Sequence, residues 1–364
     1  MITDQCPYSC SWCGVYRTKL LEKGEITQKE FDEINAGSNE GDFVRNHKKY
    51  KKEYLSPDDY RYLSAVLGYY FGTSDTTVTG GDPFERKEVK EIINNINSLG
   101  LSVTGLTKGA PLFKKNKESV ISQKAGEVTR LIFSIDSLNP EEHANLNLPL
   151  SNKLKALTFL PKTIEALEEA QKLGYKVEIN NVIPQPKFND TEELKNLFKK
   201  TKELIEFALD KKIVKLKFIE LDTEEVYGNP YIEKYFEKMI ELGYFKDYNI
   251  KNPSYIDLEG NRKSDIGVVE KNGNKVKISI CRCSCSATAS HPKKSKLCKF
   301  SEGSDLFLNS SGEAIVCYKN LKEKQNYVSL KKFIEKRDTE GLIRALVEIN
   351  ERMKKMKCPI FIKK

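Results

Sequence analysis

Three cysteines close to the amino end have a spacing that suits a single metal centre. Cys6, Cys10 and Cys13 follow a C-x3-C-x2-C pattern, and Trp12 stands directly before the last thiol. An iron–sulfur cubane has four irons that each need a ligand, so three thiolates leave one iron open to a small molecule. The alternative is structural zinc, which prefers four closed ligands from paired cysteines or a cysteine and histidine mixture. Neither pattern surrounds this loop, and we favour the cluster.

A second group of cysteines lies in the last third of the chain. Its members are Cys281, Cys283, Cys285, Cys298, Cys317 and Cys358. A hairpin is predicted between residues 306–308 and 314–316, and it would hold Cys298 and Cys317 near each other. Cys281 and Cys283 could supply further thiolates to the same metal centre, with Cys285 and Cys358 as additional candidates. Structural zinc, with His291 as an additional ligand, stays open as the alternative here.

Size and composition indicate one large domain plus a smaller one. The chain has 364 residues and a mass of 41.6 kDa. Its net charge is +9, and charged residues of both signs are interspersed along the chain rather than collected in a tail. The densest basic stretch, residues 45–52, is interpreted as a solvated surface. No signal peptide pattern and no apolar run of about 20 residues is found, and the nine cysteines are an odd number. We therefore predict a reduced, cytoplasmic protein.

Short runs of β-branched residues alternate with helical patterns, which is typical of parallel βα units. The predicted strands are 2–4, 76–79, 101–107, 130–136, 176–183 and 213–220. One helix is predicted from an N-cap at Ser56 to about Phe71, and another begins after an N-cap at Asp190. Six such units predict an α/β fold with an open, partial (β/α)6 barrel over residues 1–222. Residues 223–364 are predicted to form a smaller cysteine-rich domain.

Polar and glycine-rich segments follow the predicted strands at their carboxyl ends. The cysteine loop follows the first strand, residues 80–83 the second and residues 107–109 the third, while residues 134–137 close the fourth. In barrels of this kind the active groups collect at that edge. A Gly-Gly-Asp-Pro stretch can also be an ordinary turn, so its position is what makes it a candidate.

The cysteine spacing resembles the signature of the radical S-adenosylmethionine (SAM) superfamily. In that family the open iron takes the amino and carboxylate groups of SAM, and one electron cleaves SAM to methionine and a 5′-deoxyadenosyl radical. The radical then abstracts hydrogen from a substrate. The resemblance therefore implies a [4Fe-4S] cluster at Cys6, Cys10 and Cys13, with SAM as cofactor and a flavodoxin or ferredoxin as electron donor.

The order of motifs along the chain is similar to one branch, the GTP cyclase of molybdenum-cofactor biosynthesis and its relatives. These motifs are Thr-Gly-Gly-Asp-Pro, Thr-Lys-Gly, Ser-Ile-Asp-Ser-Leu-Asn-Pro-Glu, Glu-Ile-Asn-Asn-Val and Lys-Phe-Ile-Glu. The resemblance implies that a glycine-rich edge binds the amino group of SAM, that polar strand ends contact its carboxylate or ribose, and that one strand end faces its adenine. The implied cofactor-binding residues are Gly80, Gly81, Asp82, Pro83, Thr107, Ser134, Asn180 and Ile219.

The C-x13-G-x4-C spacing from Cys298 to Cys317 resembles the auxiliary cluster domains that many radical SAM enzymes carry.

Basic residues that the GTP cyclase branch uses are replaced in the present chain. The residues at the comparable positions are Gln5, Glu178, Asp305 and Phe307. A triphosphate needs cationic or backbone donors, and Glu178 in place of lysine reverses the sign of the charge.

These observations predict a radical SAM enzyme that starts a rearrangement, cyclisation or crosslink on a substrate other than, or beyond, GTP. A peptide is the alternative substrate, and no membrane partner is expected. The competing hypothesis from another class is a non-catalytic zinc or iron–sulfur sensor or adaptor. Such a protein would not use a Gly-Gly-Asp-Pro segment at a strand end, and the presence of residues 80–83 there favours the enzyme.

Overall fold

The computed structural model describes residues 54–112, 121–147, 157–220, 231–251, 264–281, 306–310, 312–315 and 327–355. Helices and strands alternate through most of this part. The helices are α1 Pro57–Phe71, α2 Val89–Asn97, α3 Ile121–Ala125, α4 Pro140–Asn147, α5 Phe159–Lys172, α6 Thr191–Asp210, α7 Ile232–Glu241, α8 Lys331–Glu335 and α9 Thr339–Lys355. The strands are β1 Asp75–Val78, β2 Ser102–Thr107, β3 Arg130–Ser134, β4 Lys176–Ile183, β5 Lys215–Glu220, β6 Asn249–Lys251, β7 Ser264–Lys271, β8 Asn274–Cys281, β9 Phe307–Leu308, β10 Glu313–Ile315 and β11 Tyr327–Ser329.

The main sheet has the strand order β1-β2-β3-β4-β5-β8-β7-β6. Strands β1 to β5 and β8 run parallel, whereas β7 and β6 are added antiparallel at one side. The strands predicted within residues 76–220 are confirmed, with ends that differ by one or two residues. The predicted first strand, residues 2–4, lies outside the described residues. The mixed α/β fold with a parallel sheet is thus established, and it is consistent with a partial barrel.

The main sheet continues beyond residue 222, where the barrel was predicted to end. Strand β8 pairs with β5 in parallel, and β7 joins β8 through a turn at Asn272 and Gly273. These two residues have φ values of 53° and 80°, as a tight hairpin turn of this kind requires. The Asn-Gly pair is a hairpin signal in the sequence that our interpretation did not use. The domain division at residue 222 stays a prediction.

Helices pack on one face of the sheet and bury it completely. Leu131, Phe133, Ile179, Leu216 and Ile278 are each 0% exposed on this face and belong to one hydrophobic core. These side chains alternate with polar ones along the strands, as the period of a β-strand requires. Most polar side chains of β4 and β5 therefore lie on the opposite face, although Asn181 and Glu220 lie on the helix-covered one.

The two predicted helix starts are confirmed by their caps. The Ser56 hydroxyl accepts a hydrogen bond from the Asp59 amide while the Asp59 carboxylate accepts from the Ser56 amide, which is a complete capping box before Pro57. Helix α1 then ends at Phe71, as predicted. The Asp190 carboxylate accepts from the Glu193 amide at the start of α6.

A small antiparallel sheet and two helices form the carboxyl-terminal part of the described chain. Strands β9, β10 and β11 pair in the order β11-β10-β9, so the predicted hairpin is confirmed over its described residues. This part docks on α1, because an Arg337 guanidinium nitrogen lies 2.8 Å from an Asp59 oxygen and the Tyr62 and Thr339 hydroxyls are 3.0 Å apart. No helix among the described residues is long and apolar enough to span a bilayer.

Candidate functional site

The predicted cofactor residues within the described chain meet at one edge of the sheet. Residues 80–83 follow β1, Thr107 ends β2, and Ser134 ends β3. Asn180 on β4 is the register partner of Ser134, and Ile219 lies one residue before the end of β5. Because parallel strands place their carboxyl ends at the same side, residues far apart in the chain face one region. The predicted grouping therefore agrees with the topology, whereas the contacts of these residues with SAM stay predictions.

Asp82 is the centre of a closed hydrogen-bond network. Its carboxylate is 1% exposed and accepts from the Thr107 hydroxyl at 2.8 Å, the Lys108 amide at 3.0 Å and the Phe84 amide at 3.2 Å. The Thr107 oxygen in turn accepts from the Gly109 amide at 2.9 Å. Burial raises the pKa of Asp82 to about 6, although the three donors oppose that shift. Both carboxylate oxygens are thus occupied inside the protein, and the side chain fixes the turn after β1 against β2.

Two glycines give this region a backbone that other residues would strain. Gly80 has φ of 150°, and Gly109 has φ of 87° with a Cβ position only 3.0 Å from the Thr163 Cα atom. Glycine adopts such angles without a steric penalty and allows close approach of a neighbour. Gly80 and Gly81 are partly exposed and have no Cβ atom that would hinder the approach of a ligand.

A buried ion pair links the segments after β2 and β3. The Lys108 ammonium is 2.8 Å from an Asp136 oxygen, and the two side chains are 16% and 4% exposed. Burial pushes the pKa of Asp136 upward, but the Lys108 charge and its hydrogen bond outweigh burial and hold the pKa below its usual value. Burial and the same ammonium lower the pKa of the neighbouring His143 to about 4. Strand β3 ends at Ser134 rather than at the predicted Asp136, because Asp136 turns toward Lys108.

We call Asp82, Thr107, Lys108 and Asp136 the closed cluster, since each polar group in it has a partner inside the protein. Asn181 adds a further tie, because its amide nitrogen donates to the Ile135 and Asp136 carbonyls at 2.9 and 3.1 Å. The closed cluster therefore holds the ends of β1, β2, β3 and β4 in one arrangement.

A second group of polar residues on the sheet differs from the closed cluster, because its side chains lack partners among the described residues. Asn180, Lys217 and Ser279 are register partners on β4, β5 and β8, so they form one row on the face away from the helices. The Asn180 Oδ1 and Ser279 Oγ atoms are buried and have no hydrogen-bond partner among the described residues. Lys217 likewise has no ion pair with any residue in the described part of the chain. We call this group the open row.

The same face carries more positive than negative charge. Next to the open row, Glu178, Lys215 and Lys277 are register partners across β4, β5 and β8. Glu178 also lies 3.5 Å from the Arg130 guanidinium, which is held by the Thr104 hydroxyl at 3.0 Å. Arg130 and Lys215 therefore flank Glu178. Asp265 of β7 is the register partner of Ser279, so the residues named on this face are the cations Arg130, Lys215, Lys217 and Lys277 and the acids Glu178 and Asp265. Lys217 begins the Lys-Phe-Ile-Glu motif, but our sequence interpretation gave no role to Lys217 or Ser279, because only the strand register places them beside Asn180.

The predicted metal ligands are almost all outside the described residues. These are Cys6, Cys10, Cys13, Cys283, Cys285, Cys298, Cys317 and Cys358. The backbone of Cys281 is described, and it is the register partner of Ile219 at the end of β8. Within the described ranges no group of three or more His, Cys, Asp or Glu residues could hold a metal ion, so these ranges do not test the predicted clusters.

Comparison with protein families assigns the chain. The model of the Radical SAM superfamily matches residues 1–201, which is more than half of the 364 residues. The chain belongs to the radical SAM superfamily. Membership of the radical SAM superfamily implies a [4Fe-4S] cluster with SAM, and it confirms the resemblance drawn from the cysteine spacing.

Curated relatives of this radical SAM chain carry one name. It is 31% identical to GTP 3',8-cyclase of Nautilia profundicola over 185 residues, which are 50% of this chain and 50% of that protein. It is 28% identical to GTP 3',8-cyclase of Aquifex aeolicus over 145 residues, 40% of this chain and 42% of that protein. The chain thus spans about half the length of the curated relatives it matches. The branch predicted from the motif order is confirmed as a similarity.

Solved structures resemble the radical SAM chain over a greater length. Streptococcus suis SuiB bound to S-adenosylmethionine has a TM-score of 0.55 at 10% identity and covers 91% of this chain and 62% of its own. SuiB bound to the precursor peptide SuiA has a TM-score of 0.55 at 12% identity and covers 100% of this chain and 72% of its own. At these identities the likeness shows the fold.

The described residues fit SAM at the edge predicted for it. A ligand with an amino group and a carboxylate needs acceptors and donors without internal partners, and Asn180 Oδ1 is a buried acceptor that no described residue satisfies. Ser134 lies opposite Asn180 in register, and the partly exposed Ile219 offers an apolar surface two strands from Ser134. Gly80 has a φ of 150° and no Cβ atom, as a backbone that approaches a ligand closely requires.

Proposed function

We propose that this radical SAM enzyme acts on a substrate that carries an anionic group and that Lys217 and Ser279 of the open row bind this group. The observation that supports the proposal is the row itself: a lysine flanked by two buried polar atoms without described partners, on a face with excess positive charge. Buried polar atoms are normally hydrogen-bonded, so buried atoms left without a described partner suit a ligand. The Lys217 ammonium and the Ser279 hydroxyl are donors for a phosphate or carboxylate, whereas Asn180 Oδ1 is an acceptor that suits a hydroxyl group of SAM.

In this proposal the cofactor residues have separate tasks. With the cluster and SAM bound, the site supplies a 5′-deoxyadenosyl radical that abstracts hydrogen from the substrate. The backbone at Gly80 and Gly81 orients the amino group of SAM, Ser134 and Asn180 bind its carboxylate or ribose, and Ile219 faces the adenine. Asp82, Pro83 and Thr107 hold this edge in place rather than offering free acceptors, which agrees with the internal hydrogen bonds of Asp82. Excluding water and stray hydrogen donors is the remaining task of the protein.

Cys6, Cys10 and Cys13 are proposed as the ligands of the SAM cluster. Cys281, Cys283, Cys298 and Cys317 are proposed as ligands of a second, auxiliary cluster, with Cys285 and Cys358 as additional candidates. An external flavodoxin or ferredoxin is the proposed electron donor. The β9–β10 hairpin supports the second part, since it lies between Cys298 and Cys317 in the sequence.

A nucleotide is the leading substrate class, and a rearrangement or cyclisation is the leading reaction type. The names of the curated relatives and the positive face both support a nucleotide, while Glu178 makes a triphosphate site identical to theirs less suitable. A peptide is the second candidate. It is supported by the SuiB likeness, which extends over 91% of this chain where the sequence match to the cyclases covers half.

Label transfer tests the proposal. The protein is reconstituted anaerobically with iron and sulfide, supplied with SAM and dithionite, and incubated with deuterated nucleotides or deuterated peptides in separate reactions. We expect deuterium in 5′-deoxyadenosine from a nucleotide, and a Lys217→Met variant should raise KM for that nucleotide. Transfer only from peptides would replace the leading class by the second. Absence of 5′-deoxyadenosine from metal-loaded protein would instead favour the non-catalytic sensor or adaptor.

A further inference from the structure

Arg86 is a buried cation that reaches away from the open row, toward the start of α1. It is 5% exposed and directly follows the short 3-10 turn Pro83–Glu85. One guanidinium nitrogen donates to the Leu55 carbonyl at 2.7 Å, and the guanidinium carbon lies 5.2 Å and 5.6 Å from the ring centres of Tyr54 and Tyr60. A planar guanidinium suits this position, because it stacks on aromatic rings while it donates in its own plane.

Leu55 is also bound by the carboxyl-terminal hairpin. Its amide donates to the Ser310 carbonyl at 2.9 Å, within the connection between β9 and β10. Asn309 and Ser310 are 1% and 0% exposed there, so this contact is buried. Gly312, with φ of 83°, packs so close that a Cβ atom would lie 3.2 Å from a Leu55 methyl carbon. One residue therefore accepts from Arg86 and donates to the hairpin.

On its other side Arg86 belongs to the turn after β1. Its amide donates to the Pro83 carbonyl at 3.1 Å, and the Glu85 amide donates to the Asp82 carbonyl at 3.0 Å. The Asp82 side chain continues into the closed cluster through Thr107 and Lys108. An unbroken series of buried contacts thus runs from the β9–β10 hairpin to the proposed SAM edge.

We infer that Arg86 is a positioning residue that couples the carboxyl-terminal hairpin to the Gly80–Pro83 edge. A displacement of the hairpin moves Leu55, whose carbonyl holds the guanidinium, and the guanidinium fixes the turn that carries the edge. The coupling itself rests on the described contacts alone. Its consequence for SAM binding rests on the proposed function.

Arg337 provides a matched control. Its guanidinium also joins the carboxyl-terminal part to α1, through Asp59 at 2.8 Å, and lies 4.9 Å from the Tyr62 ring centre. No contact of Arg337 in the described chain reaches the turn after β1. Replacement of Arg337 should therefore loosen the docking of α8 and α9 without affecting residues 80–86.

Hydrogen exchange of the full chain, read by mass spectrometry over residues 80–86, tests the coupling without any cofactor. Asn309→Ala removes the side chain that accepts from the Glu313 amide at 2.8 Å, and it should open the hairpin. We expect exchange at residues 80–86 to rise about fivefold, the factor for one lost hydrogen bond. In an Arg86→Met background the same change should add nothing, whereas in Arg337→Met the full rise should remain. Equal rises in all three backgrounds would overturn the inference.

Two further measurements keep the test decisive. If Arg86→Met does not fold, Arg86→Lys is used, and it should transmit part of the rise because lysine can still donate to Leu55. In reconstituted protein, Arg86→Lys should weaken SAM binding about fivefold while Arg337→Lys leaves it unchanged. Wild-type protein that binds no SAM would contradict the proposed function but not the coupling. If hydrogen exchange shows the coupling and Arg86→Lys still binds SAM normally, only the inferred effect on SAM binding would be wrong.

Discussion

The closed cluster and the open row lie on neighbouring strands of one sheet, yet they treat their polar groups in opposite ways. In the closed cluster, Asp82 accepts three hydrogen bonds and Lys108 neutralises Asp136 at 2.8 Å. In the open row, two buried oxygens have no described partner and Lys217 has no described counter-charge. The first arrangement uses its polar groups to hold backbone segments together. The second retains them for a ligand.

This difference teaches which residues to regard as structural and which as functional. Burying an internal network of polar groups costs desolvation free energy, but the hydrogen bonds within the network offset that cost. Removal of the network should therefore lower the free energy of unfolding. The polar groups of the open row also cost desolvation free energy, but no described internal hydrogen bonds offset it. Their removal should therefore weaken ligand binding while the free energy of unfolding changes little. The predictions below test this contrast, beginning with the largest effect.

The Lys108–Asp136 pair should give the largest loss. Lys108→Met leaves the Asp136 carboxylate buried and uncompensated, and we expect the free energy of unfolding to fall by about 3 kcal/mol in urea denaturation. The control is Lys200→Met, which breaks the surface pair with Glu142 at 2.8 Å, where the side chains are both 38% exposed. That change should cost less than about 1 kcal/mol. Similar losses in both variants would show that the closed cluster has no special role.

Asp82→Asn should give the next largest loss and a characteristic pH dependence. At pH 4 the Asp82 carboxyl is protonated, but both of its oxygens can still accept from the Lys108 amide and the Thr107 hydroxyl, whereas the amide nitrogen of asparagine cannot accept, so we expect a loss of about 2 kcal/mol. The pKa of Asp82 is about 6 in the folded protein and 3.8 ordinarily, so the folded state retains a proton that the unfolded chain releases.

The stability contributed by this raised pKa is complete below about pH 4 and is lost as the pH rises to about 6. Wild-type protein should therefore lose stability relative to Asp82→Asn over this range. The difference in free energy of unfolding between the two proteins, which we call the gap, should narrow. Urea unfolding of both proteins at several pH values measures it. A gap that widens with pH would mean that the Asp82 carboxyl is stabilised in its ionised form.

The open row should show the reverse behaviour. For Lys217→Met we expect the free energy of unfolding to change by no more than about 0.5 kcal/mol. Binding of pyrophosphate, measured by equilibrium dialysis, should weaken about tenfold, because one charge-assisted contact is lost. Lys199→Met, at an exposed position of α6, serves as the control and should change neither quantity. A clear stability loss with unchanged pyrophosphate binding would place Lys217 among the structural residues.

A helix cap away from both regions should have the smallest effect. Ser56→Ala removes the hydroxyl that accepts from the Asp59 amide, and about 1 kcal/mol of stability should be lost. Ser122→Ala, at an exposed position of α3, is the matched change and should be neutral. Since α1 begins beside Leu55, a loss well above this size would indicate that the Arg86 contacts depend on the cap.

Local patterns in the sequence determined much of the fold. The caps at Ser56 and Asp190, the apolar face of α6, the strands within residues 76–220 and the hairpin around Gly312 all follow from spacing and residue type, because each depends on neighbours within a few positions. The cysteine spacing also identified the superfamily that the family match then confirmed. The β7–β8 hairpin was equally readable from Asn272 and Gly273.

Only the tertiary structure decided how the polar residues divide between the two regions. The SAM contact of Asp82 stays a prediction from the sequence, whereas only the structure shows that Thr107 and Lys108, 25 and 26 positions away, donate to its oxygens. Lys217 was quoted only as part of a motif, and Ser279 was not singled out, whereas the strand register places both beside Asn180. Partners of this kind come from separate strands whose order and register are set by the packing of the whole sheet, and no local pattern contains that information.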